Sequence, residues 1–282
     1  MRRLNFKLLL CYLLVFLGLK AQAQYYGVSP SVVGEWAVGA EIGTNYLLGD
    51  VPQILPGYQL GIYAQNSFSR NMDLKIMIGG GLSQGLSTTP SMGFRNNTAL
   101  NGEQDSVYFY DSTQQVYHNY QMQHFAVSGA VKFNLNRAFS SNGGDNWDLY
   151  LTLGLNLMLY ETRVNTYNES TFEIYDYSQI TATDPAEVRA QLTELLDGTY
   201  ETLAQQDLLN DTRLGNRVFR SSAFGGLGFR IRVGDHVGIG LEGRYHLITD
   251  DLLDGQQWTD DNQASVTSDA LMTGGLTLDY IF

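Results

Sequence analysis

The chain has 282 residues, a formal net charge of −12 and one cysteine, Cys11. Such acidity argues against a nucleic-acid partner, whose phosphates would be repelled. Because the only cysteine lies close to the N-terminus, the rest of the chain has no disulfide and no thiol chemistry. Glycine (30), tyrosine (18) and phenylalanine (13) are abundant.

Residues 1–23 have the pattern of a cleavable signal peptide. Three basic residues precede an apolar run over 8–19, and Ala21-Gln22-Ala23 supplies small residues around a cleavage site. This apolar run is shorter than a transmembrane helix requires. It also lacks the small residues that a lipoprotein signal needs before Cys11, so we expect no lipid anchor. Four of the 17 basic residues and none of the 29 acidic residues lie in this leader, so the mature chain carries a net charge of −16.

Eight later segments alternate between apolar and polar side chains, which is typical of strands with one apolar face. They cover residues 34–44, 57–65, 72–82, 121–135, 147–161, 219–233, 237–248 and 271–281. No mature segment is long and apolar enough for a transmembrane helix. The sequence therefore predicts an all-β fold, an eight-stranded antiparallel transmembrane β-barrel over 34–282, with residues 24–33 as a periplasmic lead.

The predicted links alternate in length. Strands 2 and 3, and strands 6 and 7, are joined by a few residues, and strands 4 and 5 by a Ser-, Asn- and Gly-rich loop over 136–146. The other links, over 45–56, 83–120, 162–218 and 249–269, are longer. Short turns at one end and long loops at the other are typical of an outer-membrane barrel with its loops outside the cell.

The link over 162–218 is too long for a plain loop. Asp184-Pro185 resembles a helix cap followed by proline at the first helical position, and apolar residues then recur near helical spacing. We predict a short helix over 185–196, resumed after Gly198 to about residue 209. It would pack against its own loop or cover the barrel mouth; the alternative is a face that binds a protein partner.

Charged residues of both signs fall on the face opposite the apolar one. They are Glu41, Asp73, Lys75, Lys132, Arg230, Arg232, Glu242, Arg244 and Asp279. The interior of an eight-stranded barrel is just wide enough to be filled by side chains. Because an unpaired buried charge is costly, we expect a paired network that plugs the lumen. A narrow ion path through this network is the alternative.

No catalytic set is evident, so we predict a non-enzymatic protein without a cofactor or metal. The four histidines, His118, His124, His236 and His246, are not at metal-ligand spacing. Gly79-Gly80-Gly81 is not followed by the lysine and helix of a phosphate loop, and we expect it to give room inside the barrel. The acidic residues over 250–254 and at 260–261 are expected to form a solvated loop, with calcium binding as the alternative.

The last strand carries Leu276, Leu278, Tyr280 and Phe282 on one parity. This ending resembles the C-terminal sorting signal of bacterial outer-membrane barrels. The resemblance implies the barrel assembly machinery as a partner during insertion and outer-membrane lipid as the surrounding medium.

The mature chain resembles the OmpA/OmpX-like outer-membrane barrels in the form found in Bacteroidota. Its resemblance lies in Ala23-Gln24, Trp36-Ala37-Val38-Gly39 with Gly43, Leu48-Gly49-Asp50, and residues 249–255 with Trp258. It implies an outer-membrane location and a structural or surface-interaction role, with a possible protein partner at the extracellular loops. Many relatives continue into a periplasmic peptidoglycan-binding domain, whose residues are not identified in this sequence; we expect either a barrel-only member or a truncated sequence. Gly49-Asp50 also resembles small barrel subunits of type IX secretion and gliding complexes, which leaves an accessory barrel or a small channel as alternatives.

Overall fold

The computed structural model describes residues 33–52, 56–101, 109–111, 114–139, 146–207, 211–258, 263–265 and 268–282, with only the backbone of Phe139. The predicted leader, all but the last residue of the predicted lead, and Asp260-Asp261 lie outside the described residues.

Eight long strands form one closed antiparallel barrel. They are β1 (Trp36–Leu48), β2 (Gly57–Ser69), β3 (Met72–Leu86), β4 (Asn119–Asn134), β5 (Trp147–Val164), β6 (Arg217–Val233), β7 (Val237–Ile248) and β8 (Ala270–Ile281). Each strand pairs with the next along the chain. The first and last strands pair from Ala37 opposite Ile281 to Leu48 opposite Ala270, which closes the barrel and confirms the predicted fold class.

Side chains alternate strictly between the lumen and the outer wall. On β5, Leu149, Leu151, Leu153, Leu155 and Leu157 point outward and are 40–56% exposed. The residues between them face inward and are mostly buried. An exposed apolar wall of this extent belongs in lipid rather than in water.

The strands extend further toward the long loops than the sequence pattern predicts. β1 ends at Leu48, β3 at Leu86 and β5 at Val164. At this end apolar residues such as Leu47 and Val164 stand on the inward parity and polar ones such as Arg163 on the outward parity, so the alternation that identifies a strand is lost although the ladder continues. At the other end two predictions are wrong. Gly34 lies outside β1, and Leu135 begins a short helix, α1 (Leu135–Phe139), instead of ending a strand.

The predicted loop helix is confirmed as α2 (Pro185–Leu195). The Asp184 side chain accepts hydrogen bonds from the N–H groups of Ala186 (2.9 Å) and Glu187 (3.3 Å), which caps the first turn. Its predicted continuation after Gly198 is wrong within the described residues, because Thr202–Leu203 forms a short strand that pairs with the end of β5. No described helix has the length and apolarity needed to span a membrane.

Candidate functional site

A cluster of four charged residues occupies the middle of the lumen. The Lys75 Nζ donates to Glu242 Oε2 at 2.9 Å and lies 3.6 Å from Glu41 Oε2. Arg244 donates to Glu41 and lies 3.5 Å from the other oxygen of Glu242. These side chains are at most 4% exposed. Each charge therefore has opposite charges beside it, which offsets the loss of hydration.

A second cluster lies nearer the short turns. Arg230 forms a two-point contact with the carboxylate of Asp279 and lies 3.8 Å from Asp148. Arg137 of α1 donates to both oxygens of Asp148 at 2.6 Å and approaches Asp73 at 3.9 Å. Paired guanidinium and carboxylate groups have matching geometry, so these contacts hold the ends of β3, β5, β6 and β8 together.

Polar and aromatic side chains connect the two clusters. The Lys132 Nζ donates to Gln65 Oε1 at 2.9 Å and lies 3.7 Å from the ring centre of Tyr150. The Tyr150 hydroxyl donates to Glu242 at 3.0 Å, and the Tyr63 hydroxyl donates to Asp279 at 3.0 Å. The cation–aromatic contact of Lys132 thus takes the place of a direct carboxylate partner.

All nine charged residues predicted to face the lumen do so, although Arg232 lies at the rim, where it binds Glu35 at 2.8 Å. The sequence prediction missed Asp148, Arg137 and Glu35. Asp148 stands on the inward parity of β5 and could have been found by that signal. Glu35 falls within the predicted segment 34–44 on the parity of Glu41, so the same signal applied to it. Arg137 lies outside the strands, so strand parity could not identify it.

Inward glycines make room for the large side chains. A Cβ at Gly228 would lie 2.2 Å from the Tyr150 ring, and one at Gly238 would lie 2.5 Å from Arg230 Nε. Gly79, Gly80 and Gly81 permit close strand contact, because a Cβ at each would lie 2.5–2.6 Å from a carbonyl oxygen of a neighbouring strand. Gly81 also gives the room inside the barrel that was predicted, since its Cβ would lie 2.9 Å from the side chains of Asn45 and His124.

An apolar layer seals the lumen at the loop end. Ten buried residues form it: Leu47, Val51, Tyr120, Met122, Met158, Tyr160, Val218, Ile248, Leu253 and Leu271. Leu253, which belongs to the loop between β7 and β8, is fully buried among the inward residues of the strands. Between this layer and the charged clusters the lumen retains a cavity of about 30 Å³, the size of one or two water molecules.

Residues 250–256, here called the plug segment, are tied to the barrel wall by polar contacts. The Leu253 carbonyl accepts from the Thr162 hydroxyl at 2.7 Å, and its N–H donates to Asp269 at 2.8 Å. Asp254 accepts from the N–H groups of Val51 and Gln256 at 2.7 and 3.0 Å. These bonds fix the segment across the mouth of the barrel.

The prediction of a solvated acidic loop is wrong for Asp250 and Asp254, which are 7% and 1% exposed, while Asp251 is half-buried. Asp269, which was not part of that prediction, is 2% exposed. Asp250 accepts from the Tyr160 hydroxyl at 2.5 Å and pairs with Arg220 at 2.7 Å. Among the described residues, no group of three acidic, histidine or cysteine side chains is arranged to hold a metal ion. The acids instead hold the backbone of the plug segment.

Burial changes the proton affinities in this region. It raises the pKa of Asp251 to about 7, with help from the charges of Asp50 and Asp250. Burial likewise raises the pKa values of Asp254 and Asp269. The negative charges of Asp254, Asp251 and Asp250 raise the pKa of Asp269 further. Burial lowers the pKa of His118, whose ring contacts Gln256 at 2.8 Å, to about 4.

We expect the plug segment to be most stable near pH 4, because three acids with raised pKa values outweigh one histidine with a lowered pKa. The stability contributed by the acids is complete below about pH 4 and is lost as the pH rises through about 7 for Asp251 and Asp254 and through about 10 for Asp269. The opposite holds for His118, because its unfolded form gains a proton as the pH falls below about 6.5. Hydrogen exchange of residues 250–256, corrected for intrinsic rates, should therefore be slower at pH 6 than at pH 8.

The variant Asp269→Asn tests whether the buried carboxylates cause the pH dependence of hydrogen exchange in the plug segment. Its amide oxygen can still accept from the Leu253 N–H, while its NH₂ group removes the repulsion with Asp254. We expect slower exchange than in the wild type at pH 8 and a weaker dependence on pH. An unchanged pH dependence would show that these carboxylates do not control the plug segment.

The long loops form a second apolar core outside the barrel. It contains Phe94, Leu100, Tyr110, Val116, Tyr117, Val164, Tyr175, Tyr177, Val188, Leu192 and Ala204. Apart from Val164, the last residue of β5, these residues come from the β3–β4 and β5–β6 loops, so the two loops fold as one loop domain. Val188 and Leu192 of α2 are 3% and 0% exposed within it. The apolar face of α2 thus packs on its own loops and is not free for a partner.

The loop domain carries an exposed aromatic side chain at the tip of a hairpin formed by Tyr167–Asn168 and Glu173–Ile174. Phe172 is 64% exposed and has a φ of 58°. A positive φ is strained for a bulky residue, and such positions tend to occur at functional sites. Sequence reasoning had no signal for this conformation.

The residues of the predicted sorting signal lie on the outer wall. Leu276, Leu278, Tyr280 and Phe282 are 50–68% exposed, and Tyr280 stacks on His236 with ring centres 5.4 Å apart. This places an aromatic pair at the short-turn end of the barrel. Recognition of these residues by an assembly machinery stays a prediction.

No known protein-family model matches the chain. No curated protein matches its sequence either. Solved structures with a similar fold include Ail of Yersinia pestis, with 9% identity, a TM-score of 0.39, and coverage of 89% of this chain and 99% of that one. Neisserial surface protein A has 10% identity, a TM-score of 0.40, and coverage of 88% and 98%. OprG from Pseudomonas aeruginosa has 8% identity, a TM-score of 0.41, and coverage of 89% and 96%. At these values the similarities carry no information on activity or partners.

Proposed function

We propose that the chain is an outer-membrane barrel that anchors and presents a folded loop domain at the cell surface, where it binds a partner without catalysing a reaction. One observation carries the proposal: two long loops share an apolar core of their own above a barrel whose lumen is filled. Loops that served only as connections would not need such a core, because a core fixes the shape of the exposed surface.

The filled lumen supports an anchor rather than a channel. The charged side chains are paired with one another, and the apolar layer with Leu253 covers them at the loop end. The cavity of about 30 Å³ between the apolar layer and the charged clusters is by itself too small for a continuous water path. We therefore expect no conductance steps from purified protein in planar bilayers.

The orientation can be tested with single cysteines, because the predicted mature chain contains none. Phe172→Cys places a thiol at the tip of the loop domain, and Asp235→Cys places one in the exposed turn between β6 and β7. A membrane-impermeant maleimide added to intact cells should label the first variant and not the second. Both should be labelled after the outer membrane is permeabilised.

The same position tests for a partner. A photocrosslinking residue at 172 should capture a molecule outside the cell, and one at 235 serves as the control for non-specific capture. Labelling of Asp235→Cys alone on intact cells would contradict the proposed orientation. Crosslinks confined to subunits of a secretion or gliding complex would instead favour an accessory role in such a complex.

A further inference from the structure

A groove crosses the outer wall of the barrel. It consists of two adjoining depressions of about 740 and 450 Å³, which share Leu60, Gly80 and Phe125. The first extends to Ile239 and the second to Arg217. Outward residues of all eight strands thus border the two depressions.

The groove rises from the short-turn end to the loop end. Ile239 lies near the start of β7 and is in register with Leu278, which is in register with Ala40. Leu60, Gly80 and Phe125 are in register in the middle of the wall. Arg217 is the first residue of β6, at the loop end. The strand tilt of a barrel accounts for this diagonal course.

Two small residues create the groove. Ala40 stands between the larger Leu278 and Ile62, and Gly80 stands between Leu60 and Phe125. A Cβ at Gly80 would lie 2.6 Å from the carbonyl oxygen of His124, so a side chain could not be added there without moving the strand. The depression at Gly80 is therefore a consequence of the backbone path.

The groove is polarised along its length. Its lower part is lined by aliphatic side chains, whereas its upper end carries the exposed guanidinium of Arg217. Val218 pairs with Tyr160, which places Arg217 beside Glu161. Glu161 is bound to Arg163 at 2.6 Å, and no ion pair of Arg217 is found with any described residue. An amphiphile with an anionic head at the loop end matches this pattern, because guanidinium groups bind phosphate strongly.

We infer that the groove binds lipid A, the phosphorylated and acylated glycolipid of the outer leaflet. A phosphate pairs with Arg217, and an acyl chain lies over Gly80 and Ala40. The inference rests on the proposed outer-membrane function, which places the loop end in the outer leaflet. The site would hold one oriented lipid against the barrel beside the loop domain.

Native mass spectrometry of the full-length protein in mild detergent, titrated with bisphosphorylated lipid A, tests the inference. Arg217→Gln removes the charge, and Ala40→Phe fills the lower groove. We expect each to weaken lipid A binding several-fold. The matched controls are Arg189→Gln on the exposed side of α2 and Ala223→Phe on the outer wall of β6 outside the groove, and both should bind like the wild type.

Equal lipid A binding by all four variants would overturn the inference, as would equally tight binding of phosphatidylglycerol by the wild type. The heat-dependent gel shift of each variant, recorded in parallel, reports whether the barrel is folded. A folded barrel without the lipid preference refutes the lipid site alone. A wild type without the heat shift refutes the proposed function as well.

Discussion

Replacing Glu242 with alanine is expected to lower the free energy of unfolding by about 3–5 kcal/mol, because it leaves buried cations uncompensated. Glu242 is 1% exposed and accepts from Lys75 and Tyr150, and Arg244 lies beside it. Alanine removes all three contacts and leaves Lys75 with the longer approach to Glu41 and its contact with the Tyr63 ring, 4.4 Å from the ring centre. Urea titration of the protein in lipid vesicles, followed by the heat-dependent gel shift, measures the loss.

Glu161→Ala is the matched control. Glu161 also forms a 2.6 Å ion pair, but its side chain and that of Arg163 are 20% and 38% exposed. Exposed ion pairs contribute little, so the change should stay within about 1 kcal/mol. The double variant Lys75→Met/Glu242→Leu removes one charge of each sign and should recover much of the stability. Similar losses for Glu242→Ala and Glu161→Ala would show that the lumen is not a low-dielectric, paired network.

Replacing Leu253 with alanine is expected to destabilise the closed position of the plug segment by about 2–5 kcal/mol, the usual range for a buried leucine. The side chain is fully buried in the apolar layer. The eight ladders of the barrel do not depend on it, so the effect should be confined to the loop end. Hydrogen exchange should become much faster over residues 250–256 and stay unchanged over the centres of the strands.

Leu214→Ala controls for the loss of a leucine as such. Leu214 is 69% exposed in the short strand Arg213–Leu214, which pairs with the start of β6, and its truncation should change stability by no more than about 0.5 kcal/mol. If Leu253→Ala left the exchange of residues 250–256 as slow as in the wild type, Leu253 would not be what holds the plug segment. Faster exchange throughout the strands would show that the seal contributes to the whole barrel.

The barrel could be predicted because strand parity is local information. Each inward or outward position on β5, from Trp147 to Leu159, follows from the alternation alone. The inward charges followed from the same rule, since Lys75 and Glu242 stand on inward parity whatever their partners are. The pairing between them could not be predicted, because Lys75 of β3 and Glu242 of β7 are 167 residues apart in the chain.

The acids of the plug segment show where composition misleads. Asp250 and Asp254 look like a solvated surface in sequence, because isolated carboxylates are rarely buried. Closure of the barrel brings Val51, Tyr160 and Arg220 to the same mouth, and their donors compensate the buried oxygens. Because these donors come from distant strands, the sequence next to the acids does not indicate that the acids are buried.

The sequence alone determined the strand count, the lipid-facing side of each strand, the inward charges and the first turn of α2, because each depends on near neighbours in the chain. The tertiary structure alone decided which charges pair, that Leu253 seals the lumen, that the two long loops share a core, and that Gly80 and Ala40 leave a groove below Arg217. These features depend on contacts between segments far apart in sequence, which exist only once the barrel has closed and set the register of all eight strands.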